Sequence, residues 1–156
     1  LNTLKDFAMH SSNPLYSLQP SIVRPGHCAG DFLQSGEWKT VVDEPGEVTF
    51  EIHLPQQVLN PHGELYGGFT GTYVDLVAIY AVKRLFTGQA NLLRTFTVNM
   101  RLDYLEPIVG PRLFLESKIL KNGRSTCLVS THFISHDDAL LVHALTTVKK
   151  VFRTDI

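Results

Sequence analysis

The chain has 156 residues, 44% of them hydrophobic and 19% charged, with 14 basic against 15 acidic side chains and a formal net charge of −1. That length suits one domain with a sizeable core, and the composition is that of an ordinary globular protein. The even charge balance leaves no electrostatic footprint for nucleic acid or an anionic membrane surface, and the longest apolar run, Leu76 to Val82, is far short of a bilayer span.

Residues 1–36 read as an irregular N-terminal arm. Leu1 to His10 has Leu4, Phe7 and Ala8 on one face and predicts a short helix. Asn13-Pro14, Gln19-Pro20 and Arg24-Pro25-Gly26 then interrupt regular structure. The chain begins at Leu1 rather than Met, so an upstream targeting segment is left open and a cytoplasmic location is only the default expectation. Cys28 and Cys127 fit no zinc or redox spacing and read as free thiols in a reducing compartment.

From residue 37 to the end, periodic elements follow closely. Trp38, Thr40 and Val42 precede Glu44-Pro45-Gly46, after which Val48, Phe50, Ile52 and Leu54 alternate with polar residues, predicting two strands joined by a tight turn. The segment Asn60-Pro61-His62-Gly63-Glu64-Leu65-Tyr66-Gly67-Gly68 is a polar, glycine-rich turn. It feeds a stretch from Gly67 to about Phe86 that is apolar almost all round, which predicts a buried helix ended near Gly88. Phe96, Val98, Met100, Leu102 and Tyr104 alternate with Thr95, Thr97, Asn99, Arg101 and Asp103 in the cleanest strand of the chain. Arg112–Lys121 and Arg124–Ser135 flank Asn122-Gly123, a strong hairpin signal, and Leu140–Phe152 makes a last strand. One helix apolar on all sides and an antiparallel sheet of about six strands bury each other if the sheet curls around the helix, an α+β arrangement.

The chemistry concentrates at the start of that helix. The first N–H groups of a helix have no partner within it and suit an oxygen gaining negative charge. Gly67 and Gly68 let a ligand approach the backbone there. Two turns on, Asp75 sits among Val74, Leu76, Val77 and Ala78 with no Lys or Arg three or four positions away. Such a carboxylate needs a tertiary partner or a task. From spacing alone, Asn60 before Pro61 is a turn initiator, Thr97 a β-former, and Lys121 and Arg124 solvated hairpin charges.

The ordered set Asn60-x-x-Gly63-x-Leu65-Tyr66-Gly67-Gly68-x-Thr70-x-x-x-Val74-Asp75, with the strand carrying Tyr104 and Pro107 and the hairpin Lys121-Asn122-Gly123-Arg124, resembles the hotdog-fold acyl-CoA thioesterases. The closest branch is that of the phenylacetate-pathway thioesterases and thioesterase superfamily member 2, and the likeness runs from residue 36 to about 151. It implies the hotdog fold for residues 37–156 and hydrolysis of an acyl or aryl-acyl thioester to the acid and coenzyme A. It implies no metal and no prosthetic group, with coenzyme A only as part of the substrate, and a homodimer or dimer of dimers (homotetramer).

Residue by residue, the resemblance makes Gly67 the backbone donor to the thioester carbonyl and Asn60 a side chain that holds that carbonyl or the water. It makes Asp75 the general base, reaching the site from the second subunit, and Thr97 the hydroxyl that positions the water. Tyr66, Gly68, Tyr104, Lys121, Gly123 and Arg124 fall where substrate is bound. Tyr66 departs from the branch, which has His there, and puts rate and preference in question. Two rivals follow: a non-catalytic acyl-CoA-binding protein, and a hotdog hydratase or dehydratase. Hydratases of this fold pair the helix aspartate with a His five residues later, where this chain has Tyr80.

Overall fold

The structure, a computed structural model, describes residues 26–153. The helix expected over Leu1–His10 lies outside the described residues. A short helix, α1 (Cys28–Leu33), leads into strands β1 (Lys39–Glu44) and β2 (Glu47–Ile52). The long helix α2 (Gly67–Leu85) follows, and then β3 (Leu92–Tyr104), β4 (Leu113–Asn122), β5 (Thr126–Ser135) and β6 (Leu140–Phe152). The six strands form one sheet in the order β1-β2-β4-β5-β6-β3, and each neighbouring pair is antiparallel.

The helix lies in the hollow of this sheet and touches every strand. Tyr73, Val74, Val77, Ala78, Ala81 and Val82 are buried against inward-facing residues such as Phe50, Leu115, Val129 and Phe133. Each large apolar side chain so buried contributes about 1.5–3 kcal/mol, which is why a helix without a polar face is stable here. Tyr73 stacks on Trp38 with ring centres 5.6 Å apart and meets the edge of Phe133 at 5.8 Å. Trp38 in turn donates its indole N–H to the carbonyl of Leu33, itself fully buried, so residues 33–38 are sewn onto the helix. This is the hotdog architecture that the resemblance implied.

Two local expectations are corrected. The strict alternation of β3 is broken by a bulge between Thr97 and Asn99. An extra residue in one strand exchanges its two faces. Before the bulge Phe96 and Val98 point outward, 40% and 59% exposed, while Thr97 faces the helix; after it Met100 and Leu102 pack on the core. The Asn122-Gly123 pair is not the two-residue turn its sequence suggests. Asn122 belongs to β4, and residues 123–125 form the loop, closed by the N–H of Gly123 on the carbonyl of Thr126 at 2.8 Å. The cause is Lys150, whose ammonium holds the Asn122 side chain and the Gly123 carbonyl.

Candidate active site

The turn ahead of α2 is built around Asn60. Its side-chain oxygen accepts from the backbone N–H of His62 at 2.8 Å and of Glu64 at 3.1 Å, and its backbone N–H donates to the Glu64 carbonyl at 2.7 Å. Gly63 sits at φ +76°, a left-handed conformation that closes the loop. Leu65 and Tyr66 then donate to the carbonyls of Ile108 and Val58, which pins the turn from two sides. The turn-initiator role read from spacing is therefore real. It does not use up the side chain: Nδ2 gives one hydrogen to Glu64 Oε2 at 3.0 Å, and the other has no hydrogen-bond partner among the described residues.

Helix α2 starts at Gly67 with Tyr66 as its N-cap, and no side chain caps it. The N–H groups of Gly67 and Gly68 thus have no partner within the helix. The Tyr104 hydroxyl at the end of β3 donates to the Gly67 carbonyl at 2.8 Å and fixes the helix start against the sheet. Between them opens a cleft of about 370 Å³, lined by Asn60, Glu64, Gly67, Thr70, Tyr104 and Ile108 among others. Tyr66 and Gly68 are not part of its wall. Tyr66 is 56% exposed and turns its ring edge to Phe69; a Cβ on Gly68 would stand 2.8 Å from the Tyr66 ring, so glycine there makes room for the tyrosine.

Asp75 is elsewhere. Its carboxylate accepts a short hydrogen bond from the Thr97 hydroxyl of β3, and among the described residues it has no ion pair. It lies two turns beyond Gly67, about 12 Å along the axis at the usual rise, and does not line the cleft. The bulge in β3 is what aims Thr97 at it.

The hairpin residues share the Asp75 end of the sheet. Asn122 pairs with Cys127, Cys127 with Val148 and Val148 with Thr97, whereas Tyr104 lies in the row through Val142, Phe133 and Leu115 at the other end. Lys121 and Arg124 are exposed on this hairpin, and Gly123 offers its carbonyl to Lys150. One chain therefore carries the donors of Asn60 and Gly67 at one end and Asp75, Thr97 and the hairpin at the other.

Three residues that sequence reasoning passed over matter here. Glu64 and Thr70 line the cleft, and only their place inside the motif could have pointed to them. Lys150 is 2% exposed; it donates to Gly123 at 2.6 Å and to Asn122, and stands over the rings of Phe86 and Phe152 at 4.9 and 5.9 Å. The period of two along β6 would have placed it inward with Val148. Its neighbour Cys127 is fully buried, and burial pushes the thiol up against the lowering influence of the Lys150 charge.

Residues 62–142 match the family profile of the thioesterase superfamily. Human acyl-coenzyme A thioesterase 13 is 27% identical over 96 residues, a match that covers 61% of this chain and 66% of that protein, just short of two thirds of its length. Among solved structures, the E. coli PaaI protein of the phenylacetic acid degradation operon superposes with a TM-score of 0.69 at 14% identity, covering 95% of this chain and 96% of that one. A hypothetical thioesterase protein from Streptococcus pneumoniae, solved with coenzyme A, gives 0.66 at 19% identity and covers 74% and 90%. At these identities the two structures bear on the fold. The family match spans more than half of the chain, and the chain belongs to the thioesterase superfamily.

Proposed function

From that membership we propose that the protein is an acyl-CoA thioesterase whose site is completed by a second copy of the chain. The observation that carries this is the separation of the two half-sites: oxyanion donors in a cleft that Asp75 does not line, and the Asp75 carboxylate with its hydroxyl partner away from that cleft. A twofold dimer joins them. The β3 edge is unpaired, with Phe96 and Val98 exposed, and Leu76 and Ile79 of α2 are only half covered by the sheet. An open apolar edge strand invites another strand. Antiparallel pairing of β3 with its symmetry mate carries the Thr97 end of one chain toward the Tyr104 end of the other.

In this reading the thioester carbonyl oxygen accepts from the Gly67 N–H, helped by the free Nδ2 hydrogen of Asn60. Asp75 of the opposite subunit takes a proton from water, which attacks the carbonyl carbon, and Thr97 keeps the carboxylate oriented. The tetrahedral intermediate expels the coenzyme A thiolate, which receives the proton held by Asp75. Lys121 and Arg124, on the same end as Asp75, meet the phosphates of coenzyme A beside Gly123. Tyr104 borders the reacting thioester, and Tyr66, where the branch has His, flanks the entrance with Gly68. A dimer of dimers is the larger assembly expected. The names of the relatives, acyl-coenzyme A thioesterase 13 and the coenzyme A complex from S. pneumoniae, support the same ligand class.

Tyr80 speaks against water addition to a double bond. Its hydroxyl donates to Asp43 at 3.3 Å, and burial, with the Asp43 charge, pushes it up to about 12. A phenol so held offers no base at neutral pH. The test is thiol release from a panel of acyl-CoAs. Wild type is expected to turn over and Asp75→Asn to lose about 100-fold or more in kcat; tight binding without thiol release by the wild type would leave only a binding protein.

A further inference from the structure

The cleft contains a polar group that the proposed chemistry leaves unused. Thr70 is fully buried, its Oγ1 has no hydrogen-bond partner, and it lines the cleft beside Gly67. A helical threonine commonly returns its hydroxyl to a carbonyl one turn back. Here the Tyr66 carbonyl already accepts from Phe69 at 2.8 Å, and the Thr70 hydroxyl makes no such bond. The other orphaned buried hydroxyls among the described residues, those of Ser35, Tyr73, Thr95 and Thr146, do not line this cleft. Buried polar groups are seldom left unpaired without a reason, and one in the wall of a ligand cleft suits a ligand atom.

Glu64 is the second element. Its carboxylate is steadied by Asn60 Nδ2 and stands in the same wall. Ionised, it only accepts, whereas a threonine hydroxyl can donate. A substrate hydroxyl does both. The cleft residues include Glu64 and Glu106 and no Lys or Arg, so the wall is hostile to a second carboxylate on the acyl group.

We propose that Thr70 and Glu64 form an acyl-recognition subsite that selects thioesters carrying a hydroxyl on the second or third acyl carbon and rejects dicarboxylic acyl groups. The proposal rests on the thioesterase reading. Gly67 and Thr70 are three positions apart and share a helix face. A carbonyl oxygen held by the Gly67 N–H puts the next acyl carbons alongside that face. Threonine in a helix divides between two χ1 wells, and the subsite requires the one that turns the hydroxyl toward these carbons.

The experiment compares kcat/KM for 3-hydroxybutyryl-, butyryl- and succinyl-CoA in wild type, Thr70→Val, Thr70→Ser and Glu64→Gln. Wild type is expected to prefer hydroxybutyryl over butyryl by about tenfold or more, since a site built around a hydroxyl discriminates against the analogue lacking it. The ratio should fall toward one in Thr70→Val and survive in Thr70→Ser. Succinyl-CoA should be the poorest substrate and gain relative to butyryl-CoA in Glu64→Gln. A wild-type ratio near one, or an equal loss on all three thioesters in Thr70→Val, overturns the subsite and leaves the hydrolase reading standing. No turnover of any thioester overturns both. The wild-type ratio decides even if a variant fails to fold.

Discussion

Thr97→Val removes one atom's chemistry from the Asp75 half-site while keeping its shape. The Thr97 hydroxyl donates to the Asp75 carboxylate, a hydrogen bond to a charged group. Such bonds contribute about 1.5–3 kcal/mol, and at about 1.4 kcal/mol per decade the loss of carboxylate orientation lowers kcat by about 10- to 100-fold. Valine is β-branched and nearly isosteric, so the strand keeps its propensity and the half-buried position its packing. The lost bond should still lower the melting temperature by about 3–12 °C, and KM should change little because Thr97 does not line the cleft beside Gly67. Steady-state thiol release measured beside thermal unfolding tests both halves, and Thr97→Ser should restore most of the rate. A Thr97→Val enzyme with kcat within twofold of wild type would refute the pairing as part of catalysis. A rate loss accompanied by a collapse in melting temperature would make the bond structural only.

Two further outcomes follow from groups outside the cleft. Lys150→Ala leaves the Gly123 carbonyl without its lysine donor and the Asn122 oxygen with only the Cys127 thiol, and should lower the unfolding free energy by about 2–4 kcal/mol in urea titrations. Lys150→Met, which refills the space between Phe86 and Phe152 without a charge to desolvate, should cost about half as much or less; equal losses would mean that the ammonium, and not the stem, matters. His132 is held below its usual 6.5, chiefly by burial and then by the neighbouring His143, with Glu116 opposing. Below 6.5 the unfolded chain takes up a proton that folded His132 resists. The stability it contributes is present above that value and lost as pH falls through the folded value. The melting temperature should therefore drop between about pH 7 and pH 5, and His132→Gln should flatten that drop; an unchanged slope would exclude His132 as its source.

Much of this was legible in the sequence because the informative signals were periods. The unbroken apolar run from Leu76 to Val82 has one economical solution, and the sheet supplies it. What stayed hidden depended on contacts distant in sequence. No pattern in β3 announces a bulge, yet the bulge decides that Thr97 and not Val98 faces Asp75. Asn122-Gly123 carries the dipeptide preference of a two-residue turn, but a lysine 27 residues beyond Gly123 claims both residues and lengthens the loop. Thr70 looks like filler inside a motif, and only its burial without a partner beside the cleft marks it. The placement of Asp75 two turns from Gly67 was readable by counting, and in the proposed mechanism its consequence is the demand for a second chain.

That demand is most directly tested by a heterodimer. Gly67 is the first helical residue, Tyr66 before it is extended, and a Cβ at Gly67 would meet nothing nearer than 3.8 Å. Proline fits that position and deletes the N–H donor. Each homodimer, Gly67→Pro or Asp75→Asn, should be nearly inactive. Chains of the two variants, co-expressed with different tags and purified as the mixed dimer, carry one intact site of two and should recover about half of the wild-type kcat. A mixed dimer no more active than its parents would mean that Gly67 and Asp75 never act across the subunit boundary.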